Sequence, residues 1–97
     1  MYYNNIKFLN HSIGKNEPVF VIAEIGATHD GDLNQALKLI ETAKKSGAQA
    51  VKLQTVTPDY SYCSGTLSHD VFQELSLNIE EMQKMKEVAE DLGLIIF

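Results

Sequence analysis

"VFVIAEIGATHDGDLNQALKLIETAKKSGAQAVKLQT", residues 19–55, holds both periodicities from which an α/β fold is built. Its opening, at about residues 19–25, is a short apolar run of the kind that a strand covered on both faces supplies. After the turn residues Gly26 to Asp32, the apolar positions move to a spacing of three and four. Leu33, Ala36, Leu37, Ile40 and Ala43 then line one side of a helix. Asp32 stands where an N-cap accepts from the first free amides, Gln35 is spaced as its capping-box partner, and Gly47 stands where such a helix ends. "AVKLQT", residues 50–55, reads as a second strand.

Upstream, "IKFL" at 6–9 and "SIG" at 12–14 flank Asn10-His11 and predict a small hairpin, because Asn tolerates the left-handed conformation of a tight turn. "GKNEP" follows as a polar break. Downstream, a loop containing Pro58 and Gly65 runs to about residue 67, and 69–76 has room for one short helical turn. A stronger helix starts at Asn78 as N-cap with Glu81 as box partner, carries Met82, Met85, Ala89 and Leu92 on one face, and stops at Gly93. "LIIF", 94–97, begins a third strand. The order is a hairpin followed by β-α-β-α-β, which predicts an α/β chain with a parallel sheet and right-handed crossovers. Open doubly wound sheets and (β/α)₈ barrels both satisfy this order. The expected division is an N-terminal β-hairpin at 1–17 and a βαβαβ segment at 18–97. An uncovered apolar edge at Leu94 to Phe97 is a form that native sheets blunt, so the expectation is a piece of a longer protein. A whole barrel takes about 250 residues.

Composition narrows the function classes. The chain has 97 residues, 44% hydrophobic and 22% charged, with a formal net charge of -5. Its eight basic residues are scattered among thirteen acids and form no stripe for a phosphate backbone, so nucleic acid is not an expected partner. No apolar run approaches the roughly 18 residues of a membrane span, and the N-terminal "MYYNNIKFLN" is too polar for a secretory segment. The chain therefore reads as cytoplasmic, with no membrane partner. The single cysteine, Cys63, allows neither an internal disulfide nor a multi-cysteine metal site, and its neighbours include no base that would activate it.

Strand alternation singles out three polar residues. Side chains two apart share a face, so Glu24 continues the face of Phe20 and Ile22, while Lys52 and Gln54 share a face opposite Val51 and Leu53. Parallel strands are usually apolar on both faces, and these residues stand near strand C-terminal ends, where α/β sheets and barrels bind ligands. The structural alternative is a buried Glu24–Lys52 ion pair with Gln54 completing its hydrogen bonds, an arrangement whose desolvation offsets most of its Coulomb gain. In "GATHDGD", 26–32, the two glycines permit turns or close approach, and His29 with Asp30 could ligate, orient or simply be solvated. One histidine beside acids lacks metal-ligand spacing. His11 and His69 read as surface residues. Tyr60 and Tyr62 lie in the loop after the second strand, where packing competes with a substrate contact.

The 19–55 stretch resembles the opening of the sialic acid synthase family, which includes the N-acetylneuraminate, legionaminate and pseudaminate synthases and related spore-coat polysaccharide proteins. Members begin with a pattern like I-A-E-I-G-x-N-H-x-G, followed by a helix and A-K-x-x-G-A-x-A-V-K-F-Q-T. The likeness runs from about Ile6 to Phe97 and includes "AEDLGLIIF". Thr28 stands where the family usually has Asn, and Leu53 where it usually has Phe.

The resemblance implies an incomplete (β/α)₈ barrel of an enzyme that condenses phosphoenolpyruvate with the aldehyde of an N-acetylated amino sugar, such as N-acetylmannosamine, giving a nine-carbon 2-keto acid and phosphate. It carries Glu24 and Lys52 over as catalytic residues and Lys52, Gln54 and His29 as substrate-binding ones. It also implies a divalent cofactor, Mn²⁺ or Mg²⁺, whose ligands lie outside this chain, and a homodimer when full length. The 97 residues alone are expected to be inactive. Two other readings fit the residues. One is a barrel aldolase or phosphosugar enzyme using Lys52 as a Schiff base, and the other is a truncated, non-catalytic binding fragment.

Overall fold

A computed structural model describes residues 5–97. The chain runs β1 (Asn5–Phe8), β2 (His11–Gly14), β3 (Ile22–Gly26), α1 (Leu33–Lys45), β4 (Ala50–Leu53), α2 (Pro58–Ser61), α3 (Leu67–Leu75), α4 (Ile79–Asp91) and β5 (Ile95–Ile96). Two sheets result: an antiparallel β1-β2 hairpin and a parallel sheet in the order β3-β4-β5. The four N-terminal residues of the expected 1–17 hairpin unit lie outside the described residues.

The hairpin turn differs from the sequence expectation by one residue. Phe8 pairs with His11 and Lys7 with Ser12, so the turn residues are Leu9 and Asn10, and Leu9 takes the left-handed conformation at φ 50°. The strand pairing sets which residues occupy the turn, and a left-handed leucine costs about 1–2 kcal/mol that the register must offset. The hairpin rests on Phe20, whose ring meets His11 edge-on at 4.9 Å and Phe8 at 6.4 Å.

The central strands are shorter than the apolar runs that encode them. Val19 to Val21 precede β3; the Val21 carbonyl accepts from the Gln49 and Ala50 amides, and its own amide donates to Gln49 Oε1 at 2.6 Å. A bulge between Glu24 and Gly26 then shifts the β3–β4 register at the strand end. The third strand is two residues long, although the Leu53 amide still reaches the Phe97 carbonyl at 2.7 Å.

Helices α1 and α4 lie side by side on one face of the parallel sheet. The core there joins Ile25 and Val51 to Ala36, Ile40 and Ala43 of α1 and to Met85 and Ala89 of α4. Ile40, Val51 and Met85 are fully buried, each contributing about 1.5–3 kcal/mol of transfer free energy. The other sheet face has no helix among the described residues; Ile22 is 47% and Phe97 57% exposed.

Both helix starts follow from their caps, with one correction. Asn78 and Glu81 form a full capping box at α4. At α1, Asp32 accepts from the Asn34 and Gln35 amides, but the Gln35 side chain is not the box partner expected. It donates instead to the Thr28 carbonyl at 2.7 Å and is 3.5 Å from Asp30 Oδ2, bracing the preceding loop. The segment expected to hold one helical turn is a nine-residue helix, α3, capped by Thr66, and α2 is a further short helix beginning at Pro58.

Candidate functional site

Glu24 and Lys52 are direct register partners on adjacent parallel strands, on the sheet face that α1 and α4 leave open. Their charged groups stand 3.9 Å apart, with the Lys52 side chain 49% and that of Glu24 64% exposed. The buried ion pair weighed from sequence is therefore absent. A solvated pair at this distance adds about 0–1 kcal/mol, so stability gives little account of two charges on a sheet face. What the pair offers is a fixed ammonium beside a carboxylate, at the end of the strands where ligands approach α/β sheets.

Gln54 lies one residue past the end of β4. Its amide donates to the Gly26 carbonyl at 3.3 Å, and its Oε1 is 3.8 Å from where a side chain at Gly26 would begin. Gly26 has φ 59°, so glycine both permits the turn and leaves that space to the amide. Among the described residues, no hydrogen bond ties Gln54 to Glu24 or Lys52. Gln54 instead shares with His29 the lining of a cavity of about 20 Å³ beneath the loop, closed by Phe72, Leu75, Met82 and Met85.

His29 is 6% exposed within an ordered turn. The Thr28, Asp30 and Asp32 amides donate to the carbonyls of Ile25, Ala27 and His29 in succession. The Thr28 hydroxyl also donates to the Ile25 carbonyl at 2.6 Å, so the threonine serves the turn and makes no bond to the imidazole. The His29 Nδ1 accepts from the Gly31 amide at 3.0 Å. That bond assigns the lone pair to Nδ1 and the ring proton to Nε2, leaving a donor available at the cavity. Gly31, at φ 71°, lets the loop close on α3: a Cβ there would stand 2.5 Å from the Glu74 carbonyl oxygen.

The structure thus brings Glu24 to Lys52 and sets Gln54 beside His29 on one cavity. No group of three His, Cys, Asp or Glu side chains among the described residues is placed to hold a metal ion. These residues do not by themselves form a site for the expected divalent cofactor.

His69 departs from the sequence reading. Expected at the surface, it is 8% exposed, with Nε2 bonded to Asp59 Oδ1 at 2.8 Å across α2 and α3. Its burial depends on two helices coming together, and the only local signal was Thr66 at cap spacing. Tyr62 stacks on Phe72 at 5.0 Å, in keeping with packing, whereas Tyr60 is 92% exposed. Cys63 is a free, exposed thiol.

Comparison with known proteins bears on this arrangement. No protein-family profile matches the chain. An uncharacterised protein of Methanocaldococcus jannaschii is 37% identical over 90 residues, covering 93% of this chain and 27% of that protein. The N,N'-diacetyllegionaminic acid synthase of Legionella pneumophila is 32% identical over 95 residues, covering 84% of this chain and 27% of the enzyme. The crystal structure of the N-acetylneuraminic acid synthetase of Leptospira borgpetersenii, in complex with citrate, superposes with a TM-score of 0.87 at 31% identity, over 96% of this chain and 33% of the other. The chain is homologous to part of the sialic acid synthases. Its mixed α/β arrangement, with a hairpin beside a parallel sheet, is that of the matching part of the Leptospira synthetase. The homologous segment spans about a quarter of the length of the curated relatives it matches. No helix among the described residues of this synthase homologue is long and apolar enough to cross a membrane.

Proposed function

We propose that this chain forms the first part of a (β/α)₈ barrel, with an N-terminal unit at 1–17 that contains the Asn5–Gly14 hairpin and a βαβαβ segment at 18–97, in a cytoplasmic enzyme that condenses phosphoenolpyruvate with an N-acetylated amino-sugar aldehyde. The observation that carries the reading is the Glu24–Lys52 pair: two charges in register at strand C-terminal ends, on the face without helices, in a segment whose relatives are nonulosonic acid synthases.

In the proposed reaction the methylene carbon of phosphoenolpyruvate bonds to the aldehyde carbon, water adds at the resulting cationic carbon, and breaking the C–O bond releases phosphate. Lys52 supplies positive charge to the anionic substrate, and a fixed charge in a barrel mouth that excludes water is worth far more than in bulk solvent. Glu24 orients Lys52 and exchanges a proton with water or the nascent hydroxyl. Gln54 donates to substrate oxygens, and His29 offers its Nε2 proton at the loop over the mouth. The divalent ion belongs to residues beyond the matched segment, and the intact enzyme is a homodimer.

The test is phosphate release by the intact protein given phosphoenolpyruvate, Mn²⁺ and N-acetylmannosamine or a related deoxy sugar. A synthase releases phosphate only with both substrates present. An aldolase instead turns over free pyruvate and is trapped on Lys52 by borohydride.

A further inference from the structure

The 25 residues between β4 and α4 form two helices, and one imidazole joins them. His69, in the first turn of α3, is buried although both its neighbours in sequence are exposed. Its Nε2 meets Asp59 Oδ1 of α2 at 2.8 Å; its Nδ1 is buried without a hydrogen-bond partner, 3.7 Å from Asp70 Oδ1 of α3. We propose that His69, set between Asp59 and Asp70, is a pH-dependent latch that holds α2 on α3 tightly when the imidazole is protonated and loosens that contact when it is neutral and keeps a single N–H.

Only the imidazolium suits both sides of this clamp. It donates from Nε2 to Asp59 and presents a second N–H to Asp70, whereas the neutral ring leaves a buried lone pair facing a carboxylate. The hollow around the ring is lined by Asp59, Tyr60 and Ser61 of α2, Tyr62, Cys63 and Ser64 of the connection, and His69 itself, with Asp70 behind. The titratable groups are therefore two carboxylates, two phenols and a thiol, and among the described residues no lysine or arginine lines the hollow to oppose the ring's charge. The hydrogen bond to Asp59, opposed in part by burial and reinforced by Asp70, holds His69 above the ordinary histidine value of 6.5.

The sign of the linkage follows from that direction. A group whose docked value is raised contributes its full stabilisation below 6.5 and loses it as pH rises through the docked value. The element loosened is the one that bears Tyr60, at the rim of the loop following β4.

Backbone hydrogen–deuterium exchange of the purified protein, corrected for intrinsic rates, reads the latch in peptides spanning residues 56–66. We expect exchange there to be about threefold or more faster at pH 8 than at pH 6, while peptides from α1 stay unchanged. Asp59→Asn should lower the His69 titration, measured by imidazole C2-hydrogen exchange, and His69→Gln should flatten the pH dependence of residues 56–66. Exchange independent of pH in the wild type, a pH dependence that survives His69→Gln, or a His69 titration at or below 6.5 would each overturn the proposal. The C2-hydrogen measurement on the unmutated protein stands even where a variant fails to fold.

Discussion

Gly31 joins the loop that carries His29 to α3, and Gly31→Ala tests whether that contact fixes the loop. Two costs enter. At φ 71° an L side chain costs about 1–2 kcal/mol in backbone energy. In addition, the new Cβ would stand 2.5 Å from the Glu74 carbonyl oxygen and 3.4 Å from Leu75 Cα. Both neighbours are backbone, so relief requires α3 or the loop to shift, at about 1–3 kcal/mol for an overpacked contact. Gly47 is the control: its φ is 90°, and nothing lies within 4 Å of a Cβ built there, so alanine meets the backbone cost alone. Urea unfolding of the purified variants should give a loss of about 2–5 kcal/mol for Gly31→Ala and about 1–2 kcal/mol for Gly47→Ala. Equal losses at the two sites would refute the close approach of loop and α3.

Two further perturbations separate structure from chemistry. Asn78→Ala removes the capping box of α4 and should destabilise the protein by about 0.5–2 kcal/mol in urea unfolding, whereas Asn78→Asp, whose carboxylate can still accept from the Glu81 amide, should keep most of that stability. Glu24→Gln breaks a 3.9 Å, half-exposed pair and should change stability by less than about 1 kcal/mol while lowering the rate of phosphate release, a combination that an ion pair kept for stability would not produce.

What was legible in the sequence was local or periodic. Asp32 and Asn78 lie next to the groups they cap, and Ile40, Met85 and Ala89 repeat at helical spacing, so caps and core faces could be read in advance. Partner-dependent features were not. Val19 to Val21 are apolar yet precede β3, because strand limits follow from pairing. Gln35 abandons its cap for the Thr28 carbonyl once the loop folds back, and His69 becomes buried only when α2 and α3 meet. At the site, alternation set Glu24 with Ile22 and Lys52 with Gln54, and only the β3–β4 register brings Glu24 to Lys52. Alternation overextended β4 to Gln54, which leaves the strand and lines the His29 cavity instead.

Lys52 is proposed as the cation of a phosphoenolpyruvate-condensing site, and phosphate release by the intact protein, compared with its Lys52→Ala variant, tests that role. Release should require both phosphoenolpyruvate and the amino-sugar aldehyde and fall by about 10²–10³-fold in the variant, with unfolding unchanged within about 1 kcal/mol. Release that persists at the wild-type rate in Lys52→Ala, or none from the unmutated protein with any N-acetylated amino sugar, would contradict it.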